Sequence, residues 1–158
     1  MTSPRPREQA FARARRVGHA RVMELADARD VMRRQHRAVL ATMRADGTPQ
    51  MSPVLTALDD AGAALISTRG PAFKVRNLRR DPRAWLCVLP DSFFGDWIQV
   101  EGSAEIVELP EAMDGLVDYY RKVSGEHPNW EEYRASMCAE QRVLVRLHLG
   151  RAGPDRSG

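Results

Sequence analysis

The chain lacks any apolar run of the roughly 18–20 residues that a membrane-spanning helix needs. Its N-terminus is rich in arginine but has no apolar core, so it does not read as a secretory signal. The two cysteines, Cys87 and Cys138, sit in apolar surroundings without CxxC spacing, which argues against a metal site. With no export signal, both are expected to be reduced core residues of a cytoplasmic protein. His19, His36, His127 and His148 are scattered, without partners at motif spacing, and Ser52 lacks a G-x-S-x-G setting. Neither nucleophilic catalysis nor metal chemistry is therefore written in the sequence, and no catalytic residue is assigned.

Lysine is scarce too: arginine outnumbers it 22 to 2, which weakens a functional reading of any single arginine. The net charge of +3 is unevenly spread. Residues 1–44 hold 11 Arg against four acidic residues (+7), and the remaining 114 hold 13 Lys and Arg against 17 acidic residues (−4). The basic character belongs to the leader. Little besides charge supports nucleic-acid binding, so it is not the favoured reading.

"MTSPRPREQAFARARRVG" reads as a mobile Arg-rich arm over residues 1–18. Val22, Leu25, Ala26, Arg29 and Met32 then recur at helical spacing. "RAVLATMR" and "PQMSPVLTAL" read as strands around the Asp-Gly hairpin signal of "ADGT". Pro49 and Pro53 cannot donate to a ladder, which suggests an edge, a bulge or a strand turned toward a ligand. "ALIST", "DPRAWLCVLP", "DWIQVEGSAEIVEL" and "QRVLVRLHLG" complete six strand-like segments. "PAFKVRNLRR", "PEAMDGLVDYYRKVSG" and "NWEEYRASMCAE" read as helices, with Asn129 as N-cap of the last. The pattern predicts a mainly β fold, a small six-stranded barrel with flanking helices. One domain is expected over residues 19–150, with 151–158 as a disordered tail.

The stretch "STRGPAFKVRNLRRDP" admits two readings. It can be a solvated amphipathic helix with Phe73 and Leu78 turned inward. It can also seat a phosphate, which favours a helix start, hydroxyl donors and one or two fixed cations. Ser67 and Thr68 end a strand, Gly70 and Pro71 turn the chain, and Lys74 falls in the first helical turn with Arg76 beyond it. Arg79, Arg80 and Arg83 then form an outer basic shelf.

The order of "GTPQMSPV", "FKVRNLRRDPRA" and "VEGSAEI" along residues 36–149 resembles the pyridoxamine 5'-phosphate oxidase-like proteins, and among them the actinobacterial group that binds the deazaflavin coenzyme F420. The resemblance implies a split-barrel homodimer with two cofactor sites at the subunit interface. It implies that Ser67, Thr68, Lys74 and Arg76, with Arg69 and Asn77, grip a phosphate. Gln50, Met51, Ser52, Pro53 and Val54 would line the ring system, and Trp97 and Gln99 would reach the neighbouring subunit's cofactor. The Arg-Leu-x-Pro ending that helps true pyridoxamine-phosphate oxidases hold pyridoxal is missing, so vitamin B6 oxidation is not assigned.

The implied activity is hydride transfer between F420 and a small planar electron-poor acceptor: a quinone, an enone, a nitroaromatic or a tetrapyrrole. The cofactor carries that chemistry, and the protein supplies position and electrostatics. Two alternatives share the barrel: an FMN-dependent oxidoreductase, and a non-enzymatic flavin or deazaflavin binder.

Overall fold

A computed structural model describes residues 23–156. The arm over 1–18, His19 and Val22 lie outside the described residues. The elements are α1 (Leu25–Arg34), β1 (Arg37–Met43), β2 (Pro49–Leu55), β3 (Ala57–Leu58), β4 (Ala64–Arg69), α2 (Phe73–Arg80), β5 (Arg83–Leu89), β6 (Ile98–Val107), α3 (Met113–Ser124), α4 (Trp130–Ala139) and β7 (Arg142–Asp155). The strands form one antiparallel sheet in the order β2-β1-β5-β6-β7-β4-β3. Seven strands replace the expected six, because "TALDD" adds the two-residue β3 before its turn. None of the helices among the described residues is long and apolar enough to cross a membrane.

Alternation decides the inside. Ala38, Leu40, Leu86, Val88, Ile98, Val100, Val145 and Leu147 share one face of the curled sheet and pack as a single buried cluster. Met32 of α1 and Leu78 of α2 join it. The phase of α1 differs from expectation: Ala28 and Met32 are buried, whereas Ala26 is exposed. Arg29, expected on that face, instead donates to the Gly62 carbonyl at 3.0 Å. A second cluster lies outside the sheet, where Leu116, Val117 and Tyr119 of α3 and Tyr133 and Met137 of α4 cover Leu65 and Leu144. Asn129 caps α4 as predicted, accepting from the Glu132 amide at 3.1 Å.

Two expectations fail here. The segment after residue 150 is not a tail: β7 runs to Asp155, pairing Val100 with Ala152 and Ile98 with Asp155. "GRAGPD" carries little apolar signal of its own, but the neighbouring β6 offers a ladder and a buried place for Ala152. Cys138 is not a core residue either. It is exposed on α4, and Cys87 is half-buried on the outer sheet face, where burial pushes its thiol pKa up.

The β6–β7 pairing shifts register at Glu101/Gly102, and a Cβ on Gly102 would lie 2.1 Å from the His148 carbonyl oxygen. Backbone faces backbone there, so neither side can give way cheaply. We expect Gly102→Ala to lower the unfolding free energy by about 1–3 kcal/mol, read as a lower urea midpoint at unchanged slope.

Candidate functional site

The sheet is left open between β2 and β4. Its curl brings these strands alongside each other, but β2 pairs only with β1 and β4 pairs with β7 and β3. The Tyr119 side chain spans this slot. Its hydroxyl donates to the Leu55 carbonyl of β2 at 3.1 Å, and the Ser67 amide of β4 faces the Tyr119 hydroxyl oxygen. Burial holds the Tyr119 pKa above the usual tyrosine value.

Hydrogen-bond alternation shows what the open edge of β2 presents. The Thr56 amide donates to His36 O at 2.7 Å and the Arg44 amide to Thr48 O at 2.8 Å. In an antiparallel ladder every second pair is bonded, so Gln50, Ser52 and Val54 turn their backbone groups toward β1. Pro49, Met51, Pro53 and Leu55 turn theirs toward the slot. Both prolines therefore stand where an N–H would meet no strand, which explains their tolerance in β2. The Pro49 carbonyl is taken by Arg44, and that of Met51 by the Gln50 amide. The Met51 and Leu55 N–H groups and the Pro53 carbonyl remain facing the slot.

Side chains of Gln50, Ser52 and Val54 point to the inner side of β2, matching their partners Thr42, Leu40 and Ala38. Gln50 belongs to a buried relay. Asn77 Nδ2 on α2 donates to Thr42 Oγ1 at 3.1 Å, and Thr42 Oγ1 donates to Gln50 Oε1 at 3.3 Å. Arg80 completes it, donating to Asn77 Oδ1 and to the Met43 carbonyl. Asn77 is thus 7% exposed and ties α2 to the strands, where it positions the basic helix. Ser52 Oγ is buried without a hydrogen-bond partner.

The basic stretch sits where β4 passes into α2. Ser67 and Thr68 are consecutive strand residues, so their hydroxyls face opposite sides of β4; Ser67 lies on the Leu144 side and Thr68 is buried opposite Val143. Their expected convergence does not occur. Lys74 is half-buried in the first turn of α2, and no carboxylate among the described residues pairs with it. Burial, and then the charge of Arg142, hold its pKa below the usual lysine value. Arg142 opens β7 and was not singled out from the sequence; only the β4–β7 register, which pairs Arg69 with Arg142, brings it here. Arg76 is exposed and stands over the Phe73 ring at 5.4 Å. Phe73 is itself 70% exposed, against the inward orientation expected of a solvated amphipathic helix.

The outer shelf is largely neutralised. Arg79 pairs with Glu108, Arg83 with Asp81 at 2.7 Å, and Arg80 is committed to the relay. Arg83's bidentate contact holds the Asp81 carboxyl near a pKa of about 2. Arg69 and Arg142 share Glu140, at 3.7 and 2.7 Å. Clefts of about 540 and 560 Å³ flank Gly70 and Pro71, rimmed by Arg79 and Arg142 on one side and by Arg69 on the other. They adjoin the helix start without including Lys74. The candidate site is therefore described by Lys74 and the open β2 edge rather than by either cleft.

Trp97 and Gln99 lie away from this cluster. Gln99 is half-buried on the outer face of β6, in a row across four strands formed by Pro53, Val39, Cys87 and Gln99. A second row is Met51, Ala41, Trp85 and Glu101, with Trp85 Nε1 donating to Glu101 at 3.0 Å. Trp97 is half-buried just before β6. Within one chain, these residues do not meet Lys74.

The relay should reveal itself in stability. Thr42→Val keeps the shape but strands the amides of Asn77 and Gln50, so we expect a loss of about 1–3 kcal/mol in urea unfolding. Arg83→Ala, which breaks an exposed pair, should change stability by less than about 0.5 kcal/mol.

Comparison with known proteins agrees with this architecture. A conserved hypothetical protein from Mycobacterium tuberculosis is 28% identical, with TM-score 0.69, over 85% of this chain and 86% of that one. An F420 reductase is 22% identical, with TM-score 0.62, over 78% of this chain and 94% of that one. A heme binding protein from Mycobacterium smegmatis, also 22% identical with TM-score 0.62, is covered over 53% of its length by 82% of this chain. The latter two likenesses speak for the fold alone. Residues 25–152 match the pyridoxamine 5'-phosphate oxidase family from the first helix through nearly all of the last strand, and the chain belongs to that family.

Proposed function

We propose that this chain is an F420-dependent oxidoreductase that works as a homodimer. The observation that carries the reading is Lys74. A half-buried ammonium without a carboxylate partner among the described residues, beside a second cation and at a helix start, is poised for an external anion. A phosphate there is held by Lys74, with Arg142 and Arg76 adding charge and the end of β4 at Arg69 bounding the seat, where only one of the opposed Ser67 and Thr68 hydroxyls can face it. Asn77 acts by fixing α2.

The residues along the slot fit a tricyclic ring. Met51 N–H and Pro53 C=O offer a donor and an acceptor to its polar edge, and the partnerless Ser52 hydroxyl lies in the same strand. Gln50 is fixed by the relay, and Val54 supplies an apolar inner wall. When bound, reduced F420 supplies hydride to a planar electron-poor acceptor. The protein's part is to orient the ring and leave one face for the acceptor, and no proton donor is assigned.

The homodimer reading rests on the outer face of β2-β1-β5-β6, where Met51 is 65% and Leu55 43% exposed beside Val39, Trp85 and Cys87. An apolar sheet face of this kind suits self-pairing. Pairing through it brings Gln99 and Trp97 of one copy toward the other. FMN is the second cofactor reading, since its phosphate suits the same seat. The clefts beside Pro71 hold Glu108 and Glu140 together with the arginines they pair with, so they do not choose between the two, and F420 is put first on the resemblance of the motifs.

Calorimetric titration with F420 and with FMN tests the choice: F420 binding is expected to be the tighter, and FMN binding without F420 binding would reverse it. Lys74→Ala should weaken binding by about 1.5–3 kcal/mol, as for loss of a charge-assisted hydrogen bond. An anion favours the ammonium form, so binding takes up a proton once the free Lys74 is deprotonated. Affinity should therefore fall as pH rises through its depressed pKa, and the Lys74→Ala protein should lose that fall. An unchanged affinity in the variant would put the phosphate elsewhere.

A further inference from the structure

The corner where α4 passes into β7 is pinned to the corner where β4 passes into α2. The Gly70 amide donates to the Gln141 carbonyl at 2.8 Å, and a Cβ on Gly70 would lie 3.2 Å from the same oxygen. Gln141 turns the chain there with φ +53°, a left-handed conformation uncommon outside glycine. Its neighbours Glu140 and Arg142 are thereby carried to the start of α2. The cleft of about 560 Å³ at this place is rimmed by Arg69, by Ala72 at the N-cap of α2, and by Glu140. No side chain caps that helix.

An uncapped helix start beside two arginines suits an anion, and the chain supplies one of its own. Glu140 Oε2 accepts from Arg142 Nε at 2.8 Å, meets a terminal guanidinium nitrogen of Arg142 at 2.7 Å, and lies 3.7 Å from Arg69 Nε. Arg142, by hydrogen bond and charge, holds the Glu140 carboxyl below the usual glutamate pKa, and Arg69 adds to this, so the group is ionised at neutral pH. Arg142 also acts by its charge on Lys74. It thus couples the fixed carboxylate to the ammonium of the proposed seat.

The cleft on the other side of Gly70 and Pro71 has its own carboxylate, Glu108, paired with Arg79. Both ways out along this turn therefore lead past a glutamate. Their environments differ: the Glu108 side chain is 62% exposed and that of Glu140 35%, so solvent and salt screen Glu108 more strongly. Arg76, the other cation near Lys74, is exposed and stacked on Phe73, where its charge is screened as well.

We infer that Glu140 is the charge-selecting residue of the phosphate seat: it occupies the two arginines that a second phosphate would need, and so restricts the seat to headgroups bearing one. This rests on the Lys74 reading and adds what the seat turns away. Glu140 acts through Arg142 and Arg69, as a positioning residue.

The test compares inorganic phosphate with pyrophosphate by calorimetric titration of the full chain at fixed pH and ionic strength. Wild type should bind pyrophosphate no more than about threefold more tightly than phosphate. Glu140→Gln keeps the shape and an acceptor for Arg142 but removes the charge, and should raise the preference for pyrophosphate on the order of tenfold. Glu140→Asp, which keeps the charge, should stay with wild type, and the more screened Glu108→Gln should shift the preference by less than about twofold. Lys74→Ala should weaken both anions. A Glu140→Gln protein with the wild-type preference, a Glu140→Asp protein that shifts as Glu140→Gln does, or a wild type that already strongly prefers pyrophosphate would overturn the role of Glu140. If Lys74→Ala still weakens phosphate in that event, the seat itself stands. Phosphate binding that Lys74→Ala leaves unchanged overturns both, as does a wild type that binds neither anion.

Discussion

A sheet that stops short of closing governs this molecule. β2 bonds β1 on one side only, and its other edge faces β4 without a ladder between them. An open edge of backbone donors and acceptors is a liability that proteins cover, twist away or use. Here it is held rather than closed. Tyr119 bridges the slot by a single hydroxyl, the prolines remove two donors that would face it, and the Asn77–Thr42–Gln50 relay ties β2 and β1 to the helix that carries Lys74. The strand that would meet a ring and the helix that would meet a phosphate are therefore linked through buried hydrogen bonds. Such bonds are costly to break singly, which keeps the two parts in fixed relation.

Charge follows the same economy. The chain is rich in arginine, yet most of the arginines near the slot are spent: Arg79 on Glu108, Arg83 on Asp81, Arg80 on backbone and amide oxygens, Arg69 and Arg142 on Glu140. Among the described residues Lys74 stands apart from them in having no acidic partner, and Arg76 lies over an aromatic ring. On the proposed reading, an anion here would be held chiefly by Lys74, with Arg76 and Arg142 nearby, rather than by a diffuse positive surface.

Local chemistry made much of this readable beforehand. Asp46-Gly47 announced the first hairpin, Pro49 and Pro53 marked an edge, and Asn129 marked the start of α4. Lys74 stood out because it falls in the first helical turn after a Gly-Pro break. What stayed hidden depends on long-range pairing. Arg142 reaches the site through the β4–β7 register, and β7 gains its last residues from a ladder with β6 that "GRAGPD" does not advertise. Neither the outward Phe73 nor the paired shelf is visible from composition, since spacing gives a helix face but not what packs against it. The alternation of Ser67 and Thr68 was legible in principle, because adjacent strand residues never share a face.

The central claim is that the slot beside Lys74 receives an anionic headgroup while β2 lines a planar ring between two copies of the chain. A crystal structure of the protein grown with F420 tests it most directly. The account predicts a two-fold pair joined through the outer sheet faces, with the cofactor phosphate on Lys74 and the ring along Met51 and Pro53. A monomer with Lys74 in bulk solvent, or a headgroup bound away from the β4–α2 turn, would contradict it.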